Sequence, residues 1–166
     1  GPVRAAVEVR RSSGFSRFIQ RLSLCKGSKQ VEFELMMDWK GLDRMVKVAF
    51  PLAVSTKEAT YEIPYGTIVR PNLGEEQNAR RWVDLSDADY GVSLMNDSRY
   101  GYDVKDNVIR LSMLRSPHAP AFATDERDRH KLRYGIYPHA GGWRKAGVMR
   151  RAYEFNEPLV GFPTTS

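Results

Sequence analysis

The chain has 166 residues, 42% of them hydrophobic and 28% charged, with a formal net charge of +6. A chain of that size and balance can bury roughly 70% of its unfolded surface as a core without staples. No run of about 18 apolar residues is present to span a membrane. Period-two patterning then dominates the chain from its start. Residues 15–39 read as a hairpin: "FIQRLSLC" puts Phe18, Leu22 and Leu24 on one side, and "VEFELMMDW" does the same with Val31, Phe33, Leu35, Met37 and Trp39. Lys26-Gly27-Ser28-Lys29 forms the turn between them. "MVKVAFPL" follows with Val46, Val48, Phe50 and Leu52 in phase, and Pro51 marks an edge or the end of that strand.

Short strands are expected at 59–63, 67–70, 81–85, 90–95, 107–115 and 130–137, with turns at Pro64, Pro71-Asn72, Asp87–Asp89 and Asp103–Asn107. Residues 71–80 and 116–129 read as surface loops, the second long enough to suggest a functional one. Only 143–156 carries a helical period, with Ala146, Met149, Ala152 and Tyr153 in one stripe and Pro158 closing it. Many short strands without βαβ alternation predict a mainly β protein, an antiparallel β-sandwich with one short C-terminal helix. Residues 1–166 are expected to form a single such domain. The opening "GPVRAAVEVRR" has no signal-peptide block and no start Met, which points to a piece of something longer.

The chemistry-bearing residues are few. Cys25 is the sole cysteine, which excludes an internal disulfide and favours a reducing compartment. His118, His130 and His139 lack metal-ligand spacing. GxSxG, a P-loop and GxGxxG are all absent. "HAGG" at 139–142 reads as a strand-to-helix connection, with anion binding at the helix start as the rarer alternative. Asp84, Asp87, Asp89, Asp97, Asp103 and Asp106 supply carboxylates, but Asx-turn duty explains most of them equally well. Basic residues fall in scattered pairs such as Arg10-Arg11 and Arg80-Arg81, with no block and no interleaved aromatics, so no nucleic-acid partner is expected.

One resemblance does point to a function. "WVDLSDADYGVSLMNDSRYGYDVKDNVIRLSMLRSP", "VEFELMMDWKGLDRMVKVAFPL", "ATYEIPYGTIVRP" and "YGIYPHAGGWRKAGVMRRAYEFNEPL" resemble stretches of the C-terminal β-domain of glycoside hydrolase family 38, the retaining α-mannosidases. The cytosolic, vacuolar and bacterial branch is the most similar. The resemblance implies a large parent enzyme in which an N-terminal catalytic domain, followed by a helical bundle, carries the zinc, the aspartate nucleophile and the acid/base. None of those motifs occurs in this chain, so no catalytic residue, metal ligand or cofactor is expected here. The implied partners are those N-terminal domains and mannose-containing oligosaccharides, and the implied location is cytoplasmic or vacuolar.

A β-domain of this kind can still close one wall of the pocket through polar side chains on strand-end loops. Asn96, Asp97, Tyr100, Tyr102 and Arg115 are the substrate-binding candidates. Asn96 and Asp97 would shape the turn, and the two tyrosines would offer ring faces to a sugar or else cover the sandwich edge. Arg115 would present its guanidinium fork to hydroxyls, as a counterpart of an arginine in some family members, or pair with an acidic neighbour. A free-standing carbohydrate-binding module is the rival reading. It needs an exposed aromatic platform, for which Tyr61, Tyr65, Trp82 and Trp143 are the available rings.

Overall fold

A computed structural model describes residues 1–117 and 128–164. Among these residues, twelve strands precede two short helices in chain order. They are β1 (Arg4–Ser13), β2 (Ser16–Cys25), β3 (Val31–Asp38), β4 (Arg44–Pro51), β5 (Glu58–Ile63) and β6 (Gly66–Pro71). Then come β7 (Gln77–Asn78), β8 (Trp82–Ser86), β9 (Tyr90–Asn96), β10 (Gly101–Lys105), β11 (Val108–Ser116) and β12 (Arg129–Ala140). The helices are α1 (Trp143–Ala146) and α2 (Val148–Asn156). An eight-stranded sheet runs β1-β2-β3-β12-β9-β8-β5-β6, and a four-stranded sheet β4-β11-β10-β7 packs on it. The fold is the antiparallel sandwich expected, with a helical layer on the outer face of the larger sheet.

Alternation explains the core. Phe33, Leu35 and Met37 of β3 turn inward with Leu132 and Tyr134 of β12, and meet Ile109, Leu111 and Met113 of β11. Phe33 stacks on Tyr134 at 4.9 Å, and Phe50 of β4 meets both rings edge-on, tying the sheets together. Strand β4 lies at the edge of its sheet and ends at Pro51, as its proline requires.

Three details depart from the expectations. Asp103, expected in a turn, lies in β10; the turn is Asp106-Asn107, where Asp106 takes a left-handed conformation (φ 53°) that Asp tolerates. Asp103 is buried because it accepts from Arg110 (2.7 Å) and Lys47 (2.6 Å). Burial there opposes the Lys47 charge, yet its bonds to Asp103 and Glu76 outweigh this and raise its pKa. Part of the expected 71–80 loop joins the small sheet as β7. The expected single helix breaks at Gly147, whose left-handed backbone (φ 68°) restarts the turn. The buried stripe is therefore Val148, Ala152 and Phe155, at i, i+4 and i+7, while Met149 and Tyr153 face outward.

Buried phenols give a first test. Burial raises Tyr61 and Tyr134 from 10.0 to about 12, and raises Tyr102 as well despite its bond from Asn96. A phenol raised in the folded state contributes stability that is complete below its unfolded pKa and is lost as pH rises through the folded one. Stability should therefore fall between pH 10 and about 12. In a spectrophotometric titration these three tyrosinates should appear together with loss of near-UV circular dichroism. Tyrosinate formation with the fold intact would contradict that coupling.

Candidate functional site

The rim at residues 96–100 is where the chain leaves one sheet for the other, between the end of β9 and the start of β10. Asn96 builds the turn. Its Oδ1 accepts from the N–H groups of Ser98 (2.9 Å) and Arg99 (2.5 Å), and its Nδ2 donates to the Arg80 carbonyl (3.1 Å) and to the Tyr102 hydroxyl. The backbone N–H of Asn96 donates to the Arg81 carbonyl, and its own carbonyl accepts from Asn156 of α2 (3.1 Å). An Asn amide has two donors and one oxygen, and here all are used inside the protein. Asn96 is thus the turn's anchor and has no free group for a ligand.

Asp97 and Tyr100 project from that anchor. Asp97 is exposed, with Oδ1 taking the Ser98 hydroxyl (2.8 Å) and the Arg133 N–H (3.2 Å). Tyr100 is 60% exposed and is held through its carbonyl, which accepts from the Ala79 N–H at 2.9 Å. Tyr102 corrects an expectation: its ring is fully buried between the sheets, so no sugar can stack on it. It belongs to β10, and strand alternation turns it inward.

A depression of about 270 Å³ opens beside this rim. Asn96, Asp97, Ser98 and Tyr100 line it together with Arg80, Arg81, Asn156 and Glu157. The last four were not among the sequence candidates. Arg80-Arg81 was visible only as a basic pair, and Asn156 only as an Asn at a helix end. Arg81 is fixed by a hydrogen bond from its backbone N–H to Glu62 (2.6 Å) and by stacking over Tyr153 at 4.4 Å. Cationic and hydroxyl groups around one exposed aromatic ring suit a polyhydroxylated ligand.

Arg115 stands apart from this depression. A bulge in β11 between Ser112 and Leu114 breaks the alternation set by Ile109, Leu111 and Met113. Unbroken, that alternation would send Arg115 into the core; the bulge buries Leu114 and Ser116 and turns Arg115 out. It sits opposite Met45 of β4, exposed, and no salt bridge joins it to another described residue. The expected acidic neighbour is therefore not found among the described residues. Of the expected 116–129 loop, Ser116 belongs to β11 and Arg129 to β12, and residues 118–127, His118 among them, lie outside the described residues.

A second polar cluster lies under the helices. Asp84 accepts from Ser86 (2.7 Å) on one oxygen, and from Ser93 (2.7 Å) on the other, where His139 Nε2 also lies 2.8 Å away. The His139 Nδ1 lies 2.9 Å from the Gly141 carbonyl. Ser, His and Asp here have the composition of a hydrolase triad, but all are buried and Ser93 already donates to the carboxylate. It is a structural clasp, and "HAGG" is the connection it secures. Gly91 makes room for it: an added Cβ would lie 2.4 Å from Ser86 Cβ and 2.5 Å from His139 Cε1. Gly91→Ala is expected to lower stability by about 1–3 kcal/mol in a denaturant titration. An unchanged midpoint would show that the clasp yields freely.

Residues 1–123 match the glycosyl hydrolases family 38 C-terminal domain. The chain belongs to family 38. It is 38% identical over 156 residues to alpha-mannosidase 2C1 of Mus musculus, covering 89% of this chain and 15% of that protein. It is 34% identical over 127 residues to the alpha-mannosidase of Saccharomyces cerevisiae, covering 72% of this chain and 12% of the yeast protein. An alpha-mannosidase structure from Enterococcus faecalis superposes with TM-score 0.77 at 21% identity, over 86% of this chain and 18% of that one, a likeness of fold. The family 38 chain described here thus spans about one-seventh of the mouse relative's length.

The rim and its depression fall inside the family 38 match, apart from Asn156 at the end of α2 and Glu157 just after it. Among the described residues no three His, Cys, Asp or Glu side chains come together to hold a metal. No helix among the described residues is long and apolar enough to cross a membrane.

Proposed function

We propose that this chain is the β-sandwich part of a retaining, zinc-dependent α-mannosidase, and that it supports the fold and one wall of the pocket while other domains cleave the bond. The observation that carries the reading is the match to the mouse alpha-mannosidase across 89% of this chain but 15% of that protein. The chain's own residues bind and orient; no step of the hydrolysis is assigned to them. Asp97 would accept hydrogen bonds from sugar hydroxyls, Tyr100 would lay its ring against a sugar face, and Arg115 would donate to a second part of the substrate or to a carboxylate of the neighbouring domain. The substrates are glycans bearing terminal α-mannose, and the partners are the catalytic and helical domains of the same enzyme. A cytoplasmic or vacuolar setting accords with a single exposed thiol.

A free-standing carbohydrate-binding module fits less well. Of the four rings available for a platform, Tyr61 and Trp82 are core residues and Trp143 is half-buried, which leaves Tyr65 alone at a hairpin tip.

The test is an assay of the 166-residue chain on an aryl α-mannoside with zinc or cobalt added, beside the full-length enzyme. Activity only in the full-length enzyme is the expected result; turnover by the short chain would overturn the reading. In the full-length enzyme, Arg115→Ala is expected to lower kcat/KM by about 10- to 100-fold, the range of a hydrogen bond to a charged or strongly polar group, with no change in melting temperature. Unchanged kinetics would make Arg115 part of the scaffold.

A further inference from the structure

We propose that the free edge of β4 receives one more strand, supplied by the remainder of a longer family 38 polypeptide, whose alternate apolar side chains fill the cleft between β4 and the β1–β2 hairpin. The proposal rests on the reading that this chain is one part of a larger mannosidase.

Three observations converge on that edge. First, among the described residues β4 pairs only with β11, which leaves one side of its backbone without a partner strand there. The Leu52 N–H donates to the Asn107 carbonyl at 2.9 Å, which sets the phase of the ladder. Hydrogen-bonded and non-hydrogen-bonded pairs alternate in an antiparallel ladder. The N–H groups of Lys47 and Ala49 therefore point to the open side, and Pro51 holds the next such position with no N–H to offer.

Second, the large sheet is wider than the small one. Among the described residues, strand β1 pairs only with β2, and nearly all of its length is exposed. Its residues Ala5 and Val7 stand opposite Leu24 and Leu22 on the core-facing side. Val7 is 63% exposed and Leu24 is 42% exposed, so no described residue covers this face patterned for a core.

Third, a cleft of about 370 Å³ lies between these two features, with Val9, Phe18, Val46, Val48, Met113 and Tyr134 in its lining. Strands pair about 4.8 Å apart and sheets pack about 10 Å apart. A strand added beside β4 would therefore sit over β1–β2 at the spacing of the existing sandwich.

The occupant follows from length and charge. Natural sheets blunt long apolar edges or cover them. The chain spans 15% of the mouse relative and 18% of the Enterococcus faecalis structure, so most of such a polypeptide lies outside it. A strand tethered in the same polypeptide docks at high effective concentration. Arg11 at the cleft calls for an acidic residue on that strand.

Amide exchange read residue by residue tests this, on the 166-residue chain and on the full-length enzyme. The Lys47 and Ala49 amides should exchange at least about 100-fold more slowly in the full-length enzyme. Equal rates would overturn the proposal. Ala49→Pro removes an outward N–H without touching the β11 ladder. It should leave the short chain's melting unchanged but abolish the Lys47 protection in the full-length enzyme. If that variant fails to fold, Val7→Asp on the open face should have the same effect, and retained protection in it would count against the cleft. Protection that rises with concentration in the short chain alone would assign the edge to a second copy and overturn the proposal. Turnover of an aryl α-mannoside by the short chain would instead overturn the parent reading, independently of the exchange result.

Discussion

Asp84→Ala is expected to destabilise the protein by about 3–5 kcal/mol, the cost of leaving strongly polar partners buried and unpaired. The carboxylate ties together two serines and His139, and His139 in turn reaches the Gly141 carbonyl at the start of the helical layer. Its removal leaves three polar groups without their shared acceptor, on strands β8, β9 and β12 together. For a domain of this size such a loss lowers the melting temperature by roughly 6–20 °C. Asp84→Asn keeps the volume but replaces one acceptor oxygen by a donor, so it should recover only part of the loss. The damage should also be local before it is global. Amides of α2 should lose protection first, and Asn156 should release the Asn96 carbonyl that anchors the rim. A melting temperature within the error of the parent would show that the clasp contributes nothing net.

Trp82→Ala is expected to cost a further large amount, about 3–5 kcal/mol, through the cavity left by a buried aromatic ring. Trp82 sits two residues before Asp84 on β8, and both point to the helix-covered face. Its ring packs 5.0 Å from that of Trp143 and among Met95, Val148, Ala152 and Phe155. The indole Nε1 is buried without a hydrogen-bond partner among the described residues, so Trp82→Phe deletes an unsatisfied donor along with part of the ring. That variant should lose much less, and equilibrium denaturation of the two side by side separates packing from polarity. Equal losses would show that the indole nitrogen, unseen by any partner here, carries weight. Because Trp82 and Asp84 hold the same helical layer, the double variant should fall short of the sum of the two.

Most strands were legible because alternation is local. Phe33, Leu35 and Met37 declare an inward face within five residues, and Pro51 declares an edge by lacking an N–H. Asp103 misled because Asp reads as a turn residue, and only Lys47, from another strand, and Arg110 across the hairpin make its burial tolerable. Tyr102 misled in the same way: the rim motif around it looks polar, but its own position in β10 turns inward. Within the candidate rim, Asn96 was recognisable as a turn former. Its links to Arg80 and Asn156 join residues 16 and 60 positions away and leave no trace in spacing.

By itself, then, the sequence determined the class of fold, the phase of most strands, and the family, since apolar period and ordered motifs are written along the chain. Tertiary structure alone decided which of the candidate side chains face solvent. The bulge in β11 turns Arg115 out of the core, the crossing from β9 to β10 exposes Tyr100 and buries Tyr102, and Gly147 rotates the helical stripe. Each is a shift of one residue or one backbone angle. In a strand of period two, a shift of one residue exchanges inside for outside.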